Sequence, residues 1–141
     1  MFKDFTDKPN AMNLQLSLLR KWFYMTSARF KPEDYRLPTP YWCSRLLLVG
    51  GKQMPQKWWK EHLGTISGET SDIWIIDNLH LGSFTFKPFT TNTVTLGYPK
   101  STDTDRIRRY KHAGIEIREG RQEWGAEPGK IYFVIKHGEP L

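Results

Sequence analysis

Gly64 separates two regimes of hydrophobic spacing, and this change of period limits the fold more than any other feature of the chain. Before it, apolar residues recur at intervals of three and four, as Met12, Leu16, Leu19 and Phe23 do, which is the period of a helix with one buried face. After it they recur at every second position, as in Ser83-Phe84-Thr85-Phe86 and Thr93-Val94-Thr95-Leu96, the period of a half-buried strand. Helices followed by strands predict an α+β fold: an antiparallel sheet of about five strands with an N-terminal helix and two or three short helices. With 141 residues the chain suffices for one core, so a single domain over 1–141 is expected.

Turn and cap residues set the expected boundaries. The N-terminal helix is expected over Met12–Phe30, although Leu14-Gln15-Leu16-Ser17-Leu18 also alternates as a strand would. Three prolines in Lys31–Pro40 push their preceding residues away from helical angles and predict a connecting loop. Thr39-Pro40 supplies an N-cap followed by proline at the first helical position, predicting a short helix through Leu48, while Leu46-Leu47-Leu48-Val49 would serve equally as a buried strand. Pro55 opens a further helix that carries Trp58 and Trp59 and stops at Gly64. The apolar run from Asp72 to Asp77 has the length of a strand, and the two alternating segments, turning at Thr90-Thr91-Asn92, predict an antiparallel meander. Ser101 or Thr102 is then expected to cap a helix with Asp103 and Asp105 in its first turn and Gly114 at its end. Ile115–Arg118 and Lys130–Lys136, joined through Gly120, Gly125 and Pro128-Gly129, predict a final strand pair.

Composition narrows the class of function. Cys43 is the lone cysteine, which excludes an intrachain disulfide and a cysteine-rich zinc site. Met1–Asp7 carries two acids with no apolar block after it, and no window approaches the ~18–20 apolar residues of a membrane helix. A cytoplasmic protein without a membrane partner is the expectation. Glycine-rich phosphate loops, zinc motifs and nucleophile elbows are missing, so neither a cofactor nor a metal is predicted. The net charge of +6, from 21 Lys and Arg against 15 Asp and Glu, favours anionic partners, although a diffuse excess also serves solubility alone.

Two segments carry candidate binding residues. Arg106-Ile107-Arg108-Arg109-Tyr110-Lys111-His112 holds four fixed positive charges and no acid. On a helix, Arg106, Arg109 and Tyr110 would share one face and Arg108, Lys111 and His112 its neighbour, two rows of donors that could straddle a phosphate backbone. The plain alternative buries Ile107 and Tyr110 and leaves the bases in water. Lys57-Trp58-Trp59-Lys60 sets aromatics that could stack bases beside amines that could hold phosphates, where the alternative packs both indoles in the core.

His62-Leu63-Gly64-Thr65 and His80-Leu81-Gly82-Ser83 echo each other, but the hydroxyl falls three residues after histidine, where the two-histidine phosphoesterases place it two after. Glu116-Ile117-Arg118 with Pro128-Gly129-Lys130-Ile131-Tyr132-Phe133 resembles the Glu-x-Arg and glycine-led strand of the ASCH domains, small RNA-associated β-barrels; an ordinary charged hairpin would read the same way. The function expected from these residues is non-enzymatic nucleic-acid binding through Arg106, Arg108, Arg109, Tyr110, Lys111, Lys57, Trp58 and Lys60. The alternative is a structural or inhibitory protein-protein interaction module of viral or phage origin, with homo-oligomerisation as one form of its assembly.

Overall fold

The computed structural model describes residues 12–64 and 68–141. The fold is α+β, with the elements β1 (Asn13–Leu18), α1 (Arg20–Ser27), β2 (Glu33–Arg36), α2 (Pro40–Leu46), β3 (Leu47–Val49), α3 (Gln56–Leu63), α4 (Gly68–Leu81), β4 (Phe84–Phe86), β5 (Thr91–Leu96), β6 (Ile107–Glu119) and β7 (Ile131–Pro140). Five strands form one sheet in the order β1-β5-β6-β7-β2, and β3 pairs with β4 in a second, two-stranded sheet. The large sheet is mixed rather than purely antiparallel, because β1 runs parallel to β5 while β6 runs antiparallel to it.

Contacts divide the chain into two compact units, one from the described part of Met1–Asp34 with Pro88–Gly114 and Ile135–Leu141, the other from Tyr35–Lys87 and Ile115–Val134. In the first, Leu14, Leu16 and Leu18 point to one side of β1 and are buried together with Phe23, Val94 and Tyr110. In the second, the Trp59 ring meets those of Trp74 and Phe84 at centroid distances of 6.3 and 5.1 Å, and Cys43, Leu46, Leu47 and Ile75 are fully enclosed. Ala126, Tyr132 and Val134 form a smaller cluster there, with Tyr35 packed against it.

Where local chemistry is decisive, the expectations hold. Thr39 caps α2 by accepting a hydrogen bond from the Trp42 N–H, and Pro40 occupies the first helical position. α3 begins after Pro55 and ends before Gly64, and β6 and β7 are neighbours as the final strand pair. Leu47–Val49 resolves as the strand rather than as more helix.

Elsewhere tertiary contacts overrule the local pattern. The helix expected over Met12–Phe30 is a strand followed by a shorter helix, because alternation puts three leucines of β1 on the buried side and leaves Leu19 75% exposed at the junction. The proline-bounded loop contains β2, since the extended angles that proline imposes also suit an edge strand. The run Asp72–Asp77 lies inside α4: a short continuous apolar run fits a buried strand and a buried helix alike, and here Trp74 packs against the α3 aromatics. The meander does not form, because β4 pairs with β3 and β5 with β1 and β6, while Thr91 and Asn92 belong to β5 itself rather than to a turn.

The basic helix is also corrected. Thr104–Arg106 forms one 3-10 turn, and from Ile107 onward the chain is the long strand β6. Gly114, expected as a helix stop, sits within β6 at a φ of 104°, an angle open to glycine but costly for other residues.

Candidate nucleic-acid interface

As a strand, the basic segment sends alternate side chains to opposite faces, so its donors are sorted differently from two helical rows. The pairing sets Ile107 opposite Thr95, Arg109 opposite Thr93 and Lys111 opposite Thr91, and the last two threonines lie opposite Gln15 and Asn13 of β1. One face of the β1-β5-β6 sheet therefore carries Asn13, Gln15, three threonines, Arg109 and Lys111, with Thr93 and Thr95 themselves buried. The other presents Leu14, Leu16, Val94, Arg108 and Tyr110.

Neighbouring arginines consequently take opposite roles. The Arg108 guanidinium turns inward, where Nε donates to Ser27 Oγ at 2.9 Å and Nη1 to the carbonyls of Thr104, Asp105 and Ile107 at 3.2, 3.1 and 2.9 Å. It also lies 5.2 Å from the centroid of the Phe23 ring. Tyr110 is buried beside it, its hydroxyl donating to the Thr26 carbonyl at 3.4 Å. Burial pushes the Tyr110 phenol pKa up against the opposing pull of Arg29 and Arg108. Arg106 pairs with Asp103 at 3.3 Å on the surface. Arg109 and Lys111 are exposed, and their side chains have no hydrogen-bond or ion-pair partner among the described residues.

Around Arg109 the surface is hollowed twice. A cavity of about 300 Å³ is lined by Gln15, Thr93, Thr95, Tyr98, Ser101 and Arg109 among others. One of about 390 Å³ shares Ser101, Ile107 and Arg109 with it and extends to Ser27, Thr104 and Leu141. Two of the hydroxyl protons in the smaller cavity are committed. Thr93 donates to Asn13 Oδ1 at 2.7 Å, and Thr95 donates to the Gly97 carbonyl at 2.8 Å. Gly97 also accepts from Ser17 Oγ at 3.0 Å, so two hydroxyls and the Gly97 N–H bond to Leu18 hold the turn that presents Tyr98. Tyr98 itself is 95% exposed.

The second candidate segment belongs to the other unit. Trp59 is fully buried and its indole N–H has no partner among the described residues, while Trp58 is half-buried with His62 stacked on it at 3.9 Å. His62 is fixed there by the contact of Nδ1 with the Trp58 carbonyl at 2.8 Å and lies nearly parallel to Trp74. One face of the expected stacking platform is thus covered from within, although Lys57 and Lys60 remain exposed on α3. Thr65 of the histidine repeat and the acidic Met1–Asp7 segment lie outside the described residues.

Sequence reasoning passed over a buried polar group in the first unit. The Lys31 ammonium, 2% exposed, donates to the Glu33 carbonyl at 2.8 Å and pairs with Asp34 at 3.1 Å. Asn92, fully buried, joins two histidines: its Oδ1 meets His112 Nδ1 at 2.7 Å and its Nδ2 meets His137 Nδ1 at 2.9 Å. Burial lowers the pKa of His137 to about 4; Asp34 pulls the other way, and Lys31, His112 and Arg29 add to the fall. Burial lowers that of His112 as well. The sequence hid this group, because Thr90-Thr91-Asn92 reads as a turn, and only with Asn92 placed inward on β5 must its amide find partners. Among the described residues no group of three or more His, Cys, Asp or Glu is placed to hold a metal, and no helix is long and apolar enough to cross a membrane.

No protein-family model, curated protein or solved structure matches the chain. The resemblance of the β6–β7 hairpin to the ASCH domains therefore gains no support, and the Glu116–Arg118 pair closes on itself at 3.0 Å.

Proposed function

We propose that the protein binds single-stranded nucleic acid, without turning it over, on the polar face of the β1-β5-β6 sheet. The observation that carries the reading is Arg109: an exposed guanidinium with no partner among the described residues, projecting beside Lys111 over a cavity that also bears an exposed aromatic ring. Cations that contribute nothing to the fold remain available for phosphates, and a ring held out in solvent can accept an unstacked base. The threonine hydroxyls beside Arg109 are bonded to carbonyl or carboxamide oxygens rather than to a general base, which fits binding better than nucleophilic catalysis. The net charge of +6 adds long-range attraction.

Fluorescence anisotropy with labelled 12-mer oligonucleotides, titrated at several salt concentrations, tests this. Each phosphate contact on a single strand steepens the slope of log affinity against log salt by ~0.7, so Arg109→Gln with Lys111→Gln should flatten it by about 1.4. Thermal stability should barely change, because these charges are solvated. Wild-type protein that shows no salt-dependent binding would overturn the proposal, as would a double variant with an unaltered slope.

A second reading, a protein-interaction module that assembles with another chain or with itself, draws on Leu19, Tyr24 and Phe30 on and beside α1, which are 75%, 48% and 72% exposed. Light scattering on the purified protein distinguishes it: a stable oligomer that leaves oligonucleotides unbound favours assembly.

A further inference from the structure

Resting on that reading, we infer that the cavity beside Arg109 is a base-reading subsite, in which Tyr98 stacks one base and Thr93 and Thr95 select bases that carry an exocyclic amino group. Among the described residues Tyr98 is the most exposed large hydrophobic side chain, yet the turn that carries it is held by Ser17, Thr95 and Leu18 through Gly97. The turn is held by hydrogen bonds, and the ring, which packs against nothing among the described residues, leaves its faces open to an incoming base.

The polarity of the threonine side of the cavity follows from the bonds that Thr93 and Thr95 already make. Thr93 and Thr95 have spent their protons on Asn13 Oδ1 and the Gly97 carbonyl, so toward the cavity they offer only oxygen lone pairs. Arg109 offers only donors. A ligand suited to both carries an anionic oxygen next to a planar N–H-rich edge, which is a nucleotide whose base has an amino group. Adenine and cytosine present two amino hydrogens at that edge, whereas uracil presents one ring N–H between two carbonyls that would face the threonine lone pairs. The volume of about 300 Å³ is at the lower end of the ~300–1,000 Å³ typical of small-ligand sites, enough for one nucleotide unit.

The experiment compares labelled 12-mers of adenylate, cytidylate and uridylate by anisotropy at one salt concentration, with wild type, Tyr98→Ala, Tyr98→Phe and Thr95→Val. Adenylate and cytidylate should bind roughly three- to tenfold more tightly than uridylate, the worth of one or two neutral hydrogen bonds. Tyr98→Ala should weaken all three by about five- to hundredfold, the loss of one stacked base, while Tyr98→Phe keeps the affinity. Thr95→Val should erase the base preference without changing the salt slope. Should that variant not fold, the homopolymer series and the Tyr98 pair decide the matter, since Tyr98 makes no contact that folding needs. Equal affinities for the three homopolymers, a preference for uridylate, or a Tyr98→Ala protein that binds as wild type would each overturn the subsite while leaving backbone binding intact. Failure to bind any of the three would overturn both readings.

Discussion

Arg108 and Arg109 show how one position in a strand separates a hydrogen-bonded structural residue from an exposed one. Arg108 ties the 3-10 turn and α1 to β6 through Nε, which donates to Ser27, and Nη1, which is shared among the carbonyls of the turn. The Arg109 side chain makes no hydrogen bond among the described residues. Arg108→Gln is expected to cost about 1–3 kcal/mol in urea unfolding, because several carbonyls and Ser27 lose a charged donor, and Arg109→Gln to leave the midpoint unchanged. The opposite ranking would mean that the two side chains had been assigned to the wrong faces. Cys43 belongs to the same scale. Burial, with a smaller push from Asp72, raises its pKa to about 12, so at pH 8 roughly one thiol in ten thousand is ionised. Reaction with a disulfide reagent should wait for unfolding and accelerate sharply in urea, and Cys43→Ala should bind nucleic acid as wild type does. Rapid labelling of the native protein would refute this.

At the scale of elements, the α2 cap and the ends of α3 were legible, and strand partners were not. Thr39-Pro40 starts α2 by chemistry confined to four residues, and replacing Thr39 by alanine should cost ~0.5–2 kcal/mol of stability by thermal unfolding, the usual loss when a helix N-cap is removed. β1 is different in kind. Leu14-Gln15-Leu16-Ser17-Leu18 carries a twofold pattern inside a longer helical one, and what selects the strand is pairing with Thr91–Leu96, far along the chain. The basic segment followed the same logic: acids in a first turn suggested a helix, but the strand lets Tyr110 enter the core while Arg109 and Lys111 stay in water. Residues named as one binding set were therefore divided, with Arg109 and Lys111 on the open face, Arg108 and Tyr110 inside, and Arg106 in a surface ion pair.

For the molecule as a whole, the buried histidines link folding to acidity. His137 is held neutral in the first unit, its pKa lowered from 6.5 to about 4 chiefly by burial. Above pH 6.5 it is uncharged whether folded or not, and the contribution to stability is complete. As pH falls from 6.5 toward 4 the unfolded chain binds a proton that the folded chain refuses, so stability declines, by at most about 3 kcal/mol. His112 shifts in the same direction and reinforces the trend. Urea midpoints from pH 7.5 to 4.5 should show this loss in the wild type and a shallower one in His137→Gln, and parallel curves would remove His137 from the account.

The sequence by itself determined the α+β class, the α2 cap, the limits of α3, and the pairing of the end of β6 with β7. It also singled out Arg109 and Lys111, the two exposed cations of the proposed binding face. Only the tertiary structure decided which of the ambiguous apolar stretches became strands, because pairing energy is realised between residues such as Leu14 and Asn92 that are remote along the chain. It alone gathered Lys31, Asp34, Asn92, His112 and His137 into one unit, and it alone left Tyr98 exposed beside Arg109. Exposure is settled by what packs nearby, and a side chain's own spacing along the chain does not record its neighbours.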